Sequence, residues 1–117
     1  MKKVALTLLL FAFGCAKSEK AAFPGNAERG QQLIAQYSCN VCHVIPGISG
    51  AQGSLGPDLT GVATRPTISN GQVQNTPENL VKFIQSPPSM NPSSNMPSLN
   101  LPTSDAQDIA SYLHSIQ

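Results

Sequence analysis

Apolar positions fall into four patterned stretches, separated by segments with no period. The first, Val4 to Phe13, is a ten-residue apolar run interrupted only by Thr7, behind Lys2 and Lys3. A bilayer span needs about 20 residues, so this run predicts a secretory signal rather than a membrane helix. In the second, Leu33, Ile34 and Tyr37 recur three and four apart and predict one face of a helix. Asn26 suits its N-cap, and Glu28 lies in the first turn, where a carboxylate complements the helix dipole. Leu80, Val81, Phe83 and Ile84 form the third, opened by Thr76-Pro77-Glu78: a capping Thr, a Pro at the first helical position, then an acid. That helix must end near Gln85, because Pro87 and Pro88 follow. The fourth runs through Ala106, Ile109, Ala110, Leu113 and Ile116, with Ser104-x-x-Gln107 as a capping box at its start.

The intervening segments are long. Val44 to Pro66 is rich in Gly and Pro, with Ile45, Ile48, Leu55, Leu59 and Val62 scattered through it. Residues 86–102 are rich in Pro, Ser and Asn and contain Met90 and Met96. No strand is predicted. The expectation is all-α: three main helices and two long loops. Loops of this length without structure of their own argue against most compact folds, unless they line something other than each other.

Composition sharpens that point. In 117 residues, aromatic content is 5%, Trp is absent, and Gly and Pro number 9 and 10. So few large apolar side chains make a thin core, and small domains of this kind lean on a metal, a disulfide or a cofactor. Cys39-Asn40-Val41-Cys42-His43 names the cofactor. It reads C-x-x-C-H, the attachment site for a c-type haem. Two thiols one short turn apart can add to the two vinyl groups on one porphyrin edge, and the next imidazole then lies beneath the iron as proximal ligand. A thioredoxin-like C-x-x-C would sit in a βαβ pattern, which is missing here. A structural zinc site needs a second ligand pair, and the chain offers only Cys15 and the distant His114.

Gly14-Cys15 directly follows the apolar run, and Lys17, Ser18, Glu19 and Lys20 make the chain polar beyond it. This resembles a bacterial lipoprotein signal, in which a small residue precedes a Cys that is lipidated. Ala12 departs from that pattern, which usually has Leu there, as does the bulky Phe13. The expected organisation is a signal peptide over residues 1–14, a lipid-anchored tether over 15–25 and one domain over 26–117. The alternative for Cys15 is a leftover thiol. Formal charge is +1, and losing Lys2 and Lys3 leaves five basic residues against six acids. That balance implies neither nucleic acid nor an acidic partner. Asp58, Glu78, Asp105 and Asp108 show no paired arrangement for acid–base chemistry, and no nucleophile–base spacing or phosphate loop appears.

Taken together, these residues resemble the class I c-type cytochromes over nearly the whole of 26–117. Arg29-Gly30 with Leu33, Ile34 and Tyr37 is similar to that family's first helix leading into C-x-x-C-H. Gly56-Pro57-Asp58-Leu59-Thr60-Gly61 is similar to its G-P-x-L-x-G segment, Asn95-Met96-Pro97 to its distal loop, and Ile109 to Ile116 to its last helix. The resemblance implies a cytochrome c fold around one covalent haem c. It assigns Cys39 and Cys42 to the thioethers, His43 to the proximal position and the Pro57 carbonyl to the imidazole Nδ1. Met96 becomes the distal iron ligand, with Met90 the less favoured alternative and His114 a solvent-facing residue of the last helix. The first and last helices should cross at Gly30, against Tyr112 or Leu113. Arg65 and Lys82 could approach a haem propionate or a partner.

His–Met ligation implies an electron carrier rather than an enzyme, because it leaves no open iron position. The segment from Phe83 to Pro97 also resembles cytochrome c domains attached to haem–copper oxidases. Expected partners are therefore redox proteins such as a respiratory complex or terminal oxidase, met at a periplasmic or outer membrane face. The alternatives are a five-coordinate haem sensor or peroxidase-like enzyme, and a structural redox subunit of a larger complex.

Overall fold

The computed structural model describes Gly14, residues 24–50 and residues 53–116. The apolar leader, Cys15 and the proposed tether up to residue 23 lie outside the described residues.

Helix α1 spans Ala27–Gln36 and is capped as expected, with the Asn26 side chain accepting from the Arg29 N–H. Its apolar face buries Leu33 and Ile34. Helix α2 spans Pro77–Gln85, with Thr76 Oγ1 accepting from the Asn79 N–H and Leu80, Val81 and Ile84 turned inward. Helix α4, Thr103–Ser115, buries Ala106, Ile109, Ala110, Tyr112 and Leu113. These faces meet in one core with Ile45, Val62 and Leu101.

Three local expectations need correction. The segment after α2 is not all loop: Pro87–Met90 forms a four-residue helix, α3, because Pro87 and Pro88 already hold helical φ. Helix α4 does not use a Ser104 box. It starts two residues earlier, at Thr103 after Pro102, with no side-chain cap bond. Thr103 Oγ1 and the Leu101 carbonyl instead accept from the Gln85 side chain at 3.1 Å each, which ties the start of α4 to the end of α2. A two-stranded antiparallel ribbon also occurs where no strand is predicted. Strands β1 (Thr67–Ile68) and β2 (Val73–Gln74) pair Thr67 with Gln74 and Ile68 with Val73. At two residues each, they are too short to carry a period. Among the described residues, no helix is long and apolar enough to cross a membrane.

Helices α1 and α4 cross at Gly30, as the sequence suggests, but against a different stretch. A Cβ on Gly30 would strike the backbone of Asp108 and Ile109, one turn before Tyr112 and Leu113. Gly25 lies against the neighbouring Gln107–Asp108 backbone in the same way. Tyr112 is engaged elsewhere, donating its hydroxyl to the Pro46 carbonyl at 2.6 Å and so tying α4 to the loop after His43. Burial raises its phenol pKa above the usual value.

A polar clamp surrounds the crossing. Arg29 bonds Asp108 at 2.5 Å and Asp105 at 2.7 Å, Tyr37 donates to Asp105 at 2.7 Å, and the Asn26 N–H reaches Asp108 at 2.7 Å. From the sequence, Asp105 and Asp108 are simply acids of a helix start; in the fold they jointly hold α1. Each carboxyl titrates below its usual range, Asp105 chiefly through Tyr37 and then Arg29, Asp108 chiefly through the Asn26 N–H and then Arg29.

Candidate haem site

The backbone leaves α1 through Ser38, whose φ of 59° is left-handed. It then closes a tight 3-10 turn, Cys39–Val41, in which the N–H groups of Cys42 and His43 both bond the Cys39 carbonyl, at 3.2 and 3.0 Å. Residues three apart fall on one side of such a turn, so the turn carries Cys39 and Cys42 on the same side. Both are free thiols and half-buried, and Cys39 packs against the core. Burial pushes the pKa of the unlinked Cys39 thiol up.

His43 is buried at 9% exposure, and its Nδ1 is 2.7 Å from the Pro57 carbonyl. The carbonyl can only accept, so Nδ1 carries the proton and Nε2, across the ring, is the nitrogen with a free lone pair. Two backbone bonds bring Pro57 there: Gly56 N–H to the Cys42 carbonyl at 2.8 Å and Leu59 N–H to the Val44 carbonyl at 2.9 Å. Gly56 is required by space, because a Cβ there would lie 2.7 Å from Nδ1 and 2.9 Å from Nε2. This is the arrangement of a metal-binding His with a carbonyl behind it.

The two methionines are both half-buried. Met90 ends α3, whose short turn is closed by the Asn91 N–H on the Pro87 carbonyl at 3.0 Å. Asn91 in turn donates to Ser69 Oγ at 2.8 Å, which fixes this end of the loop to the tip of the β-ribbon. Met96 sits in non-helical backbone before Pro97, with its N–H 3.3 Å from Ser94 Oγ.

The candidate basic residues are engaged locally. Lys82 pairs with Glu78 at 2.7 Å one turn back, and Arg65 donates to the Asp58 and Thr60 carbonyls at 2.6 and 3.0 Å. His114 is half-buried and engaged with a neighbour rather than simply facing solvent. Among the described residues, no group of three or more His, Cys, Asp or Glu could hold a metal, which removes the zinc alternative there. A groove between α2 and the start of α4, lined by Val81, Gln85, Thr103 and Gln107, contains none of the candidate haem residues.

Sequence reasoning did not find the dependence of the site on Gly56 against the imidazole or on Tyr112 bracing Pro46. In the sequence Gly56 was visible only as part of the G-P-x-L-x-G segment, with no reason for the glycine attached.

The residues present fit a haem: two cysteines outside any disulfide, three apart on a tight turn, and an imidazole with its tautomer set. Comparison with known proteins agrees. The family model for cytochrome c matches residues 27–117. Cytochrome c-552 of Bradyrhizobium diazoefficiens is 29% identical over 102 residues, covering 87% of this chain and 86% of the relative. Cytochrome c oxidase subunit 2 of Alkalihalophilus pseudofirmus is 30% identical over 92 residues, covering 78% of this chain, which spans only 26% of that subunit's length. The crystal structure of cytochrome c2 from Rhodobacter capsulatus superposes with a TM-score of 0.59 at 20% identity, covering 78% of this chain and 97% of that one, a likeness of fold. A cysteine turn, a tautomer-locked histidine and a helix pair closed on a glycine thus occur within the residues 27–117 that the family model matches, and the protein belongs to the cytochrome c family, as a class I monohaem electron carrier with one covalently bound haem c.

Proposed function

We propose that this cytochrome is exported, tethered to a membrane through Cys15, and passes single electrons to a terminal oxidase or similar respiratory complex. Cys39 and Cys42 would hold the haem by thioethers, His43 would bind the iron through Nε2, and Met96 would supply the second iron ligand. When bound, the haem supplies a one-electron ferrous–ferric couple. The chain's own work is to bury it, orient the imidazole and choose the second ligand. A hydrogen bond from Nδ1 to the Pro57 carbonyl makes the imidazole a stronger donor, and a thioether opposite favours ferrous iron, which raises the potential. With His43 and Met96 both bound to the iron, no iron site would remain for a substrate.

The observation that carries this reading is the 2.7 Å contact between His43 Nδ1 and Pro57 O, which holds the ring as a ligand before any metal arrives. Met96 is favoured over Met90 because it lies in non-helical backbone outside the α3 turn. The similarity to an oxidase subunit supports an oxidase as acceptor. A lipid anchor would raise the effective concentration of the haem near membrane partners, and two acyl chains hold stably where one does not.

Acid–acetone extraction tests the cofactor chemistry. Haem should stay on the wild-type polypeptide and be absent from the Cys39→Ala/Cys42→Ala chain; haem that extracts freely from the wild type would overturn the reading. Mass spectrometry of the mature N-terminus should find a diacylated Cys15, and an unmodified N-terminus beyond it would leave a freely diffusing carrier.

A further inference from the structure

The loop that carries Met96 is organised around one residue, Asn91, at the end of α3. Its N–H donates to the Pro87 carbonyl at 3.0 Å, and its own carbonyl accepts from the Ser94 N–H at 2.9 Å. Its side-chain Oδ1 accepts from the Ser93 N–H at 3.0 Å, and its Nδ2 donates to Ser69 Oγ at 2.8 Å. Ser94 carries the order onward, its Oγ accepting from the Met96 N–H at 3.3 Å. Pro92 and Pro97 fix φ at two further positions. The shape of the segment is thus set by short-range bonds that lead back to Asn91, and the bond to Ser69 ties that shape to the β-ribbon, 22 residues away in the chain.

Ser69 is a fixed point. It opens the turn between β1 and β2, where the Gln72 N–H bonds its carbonyl at 3.1 Å. The ribbon behind it is rooted in the domain: Val73 is buried, and Asn75 Nδ2 donates to the Val62 and Arg65 carbonyls at 2.9 Å each. Ser69 itself has a φ of 53°, a left-handed backbone that costs any residue with a Cβ and that glycine adopts freely. Such an outlier points to a use for the side chain, and here the hydroxyl is the group that accepts from Asn91.

We infer that Asn91, held on Ser69, is a positioning residue for the second iron ligand: it keeps residues 91–96 in the shape that presents Met96 to the iron. The inference rests on the reading of Met96 as that ligand. A side chain on a loop binds only from the conformers that present it, so its apparent affinity is the intrinsic one scaled by their fraction. Residues 83–104 contain no Asp, Glu, Lys or Arg, so no charge pair within the loop can stand in for the bond to the ribbon. Loosening the loop therefore weakens the hold of Met96 without altering the thioether itself.

Imidazole competing for the ferric iron of the haem-loaded protein measures that hold, because it binds only when Met96 is off. Ser69→Gly suits the left-handed backbone and removes only the hydroxyl, so apparent imidazole affinity should rise about fivefold, the worth of one hydrogen bond. Asn91→Ala loses the Ser93 bond as well and should raise it about twentyfold. The double variant should match Asn91→Ala, because both substitutions break the same link. In the Met96→Ala background Ser69→Gly should change nothing, since no thioether remains to be displaced. A role confined to folding would lower the denaturation midpoint and leave imidazole affinity at the wild-type value. That result, additive effects in the double variant, or a Ser69→Gly effect that persists without Met96 would overturn the inference with the Met96 assignment intact. Imidazole affinity that Met96→Ala fails to raise would instead defeat the Met96 assignment, and the inference with it.

Discussion

Gly30 and Asp108 lie backbone against backbone at the crossing of α1 and α4, with no room for a side chain between them. Gly inside a helix costs about 1 kcal/mol relative to Ala. Here that cost is recovered by the close approach, which brings Arg29, the residue before, onto Asp105 and Asp108.

Gly30→Ala should therefore destabilise the protein, despite the better helix propensity of Ala. Overpacking costs about 1–3 kcal/mol, and an obstacle made of backbone cannot rotate away, so the loss should fall at the upper end. Chemical denaturation would show it as a lower midpoint with an unchanged slope. A stabilised variant would mean that the helices do not meet at this contact.

The clamp should make stability fall in acid. Asp105 and Asp108 have folded pKa values depressed below the usual value of about 3.9. Each therefore contributes stability that is fully present above that value and is lost as pH falls through the folded one. Asp105→Asn should flatten the decline in thermal midpoint below about pH 4 while lowering the midpoint at neutral pH. Tyr37→Phe should do the same more weakly, since its hydroxyl is the first cause of the Asp105 shift but Arg29 remains. An acid slope identical in wild type and Asp105→Asn would place the acid sensitivity elsewhere.

At the candidate site, Gly56→Ala should displace the imidazole rather than the loop, because the loop is held by backbone bonds to Cys42 and Val44. Losing the carbonyl partner of a metal-bound His typically costs about 10–100-fold in metal affinity or activity. The covalent link should survive, with haem still on the chain after extraction, but the iron should become partly high-spin and more open to exogenous imidazole. A spectrum matching wild type would show that the ring tolerates the added methyl.

Replacing the two methionines separates them. Met96→Ala should open the distal position, lower the potential and let carbon monoxide bind the ferrous form, because a thioether ligand is lost. Met90→Ala should leave all three unchanged and cost only the packing of a half-buried side chain. Carbon monoxide binding in Met90→Ala but not in Met96→Ala would reverse the assignment.

What the sequence by itself determined is what depends on neighbours a few residues away. Asn26 and Thr76 cap their helices from the sequence because a cap bond reaches only three residues on. The same holds for the cysteine turn, whose chemistry follows from a three-residue spacing. The tertiary structure decided the rest. Gly30 is marked in the sequence as needing a reason, yet the register of α4, set by burial of Ile109 and Leu113 together, determines that its neighbour is Asp108 and not Tyr112. Asp105 and Asp108 read as helix-start acids until α1, whose Arg29 is more than seventy residues away in the chain, is laid across them. The β-ribbon is too short for a period and forms only where the chain turns back through Ser69, Asn70 and Gly71 in left-handed conformations. Gly56 comes to lie against the His43 ring only because two backbone bonds bring the 53–59 loop beside the cysteine turn. Local bonds can be read along the chain, but long-range packing is a choice among many contacts of similar energy, made only when the whole core closes at once.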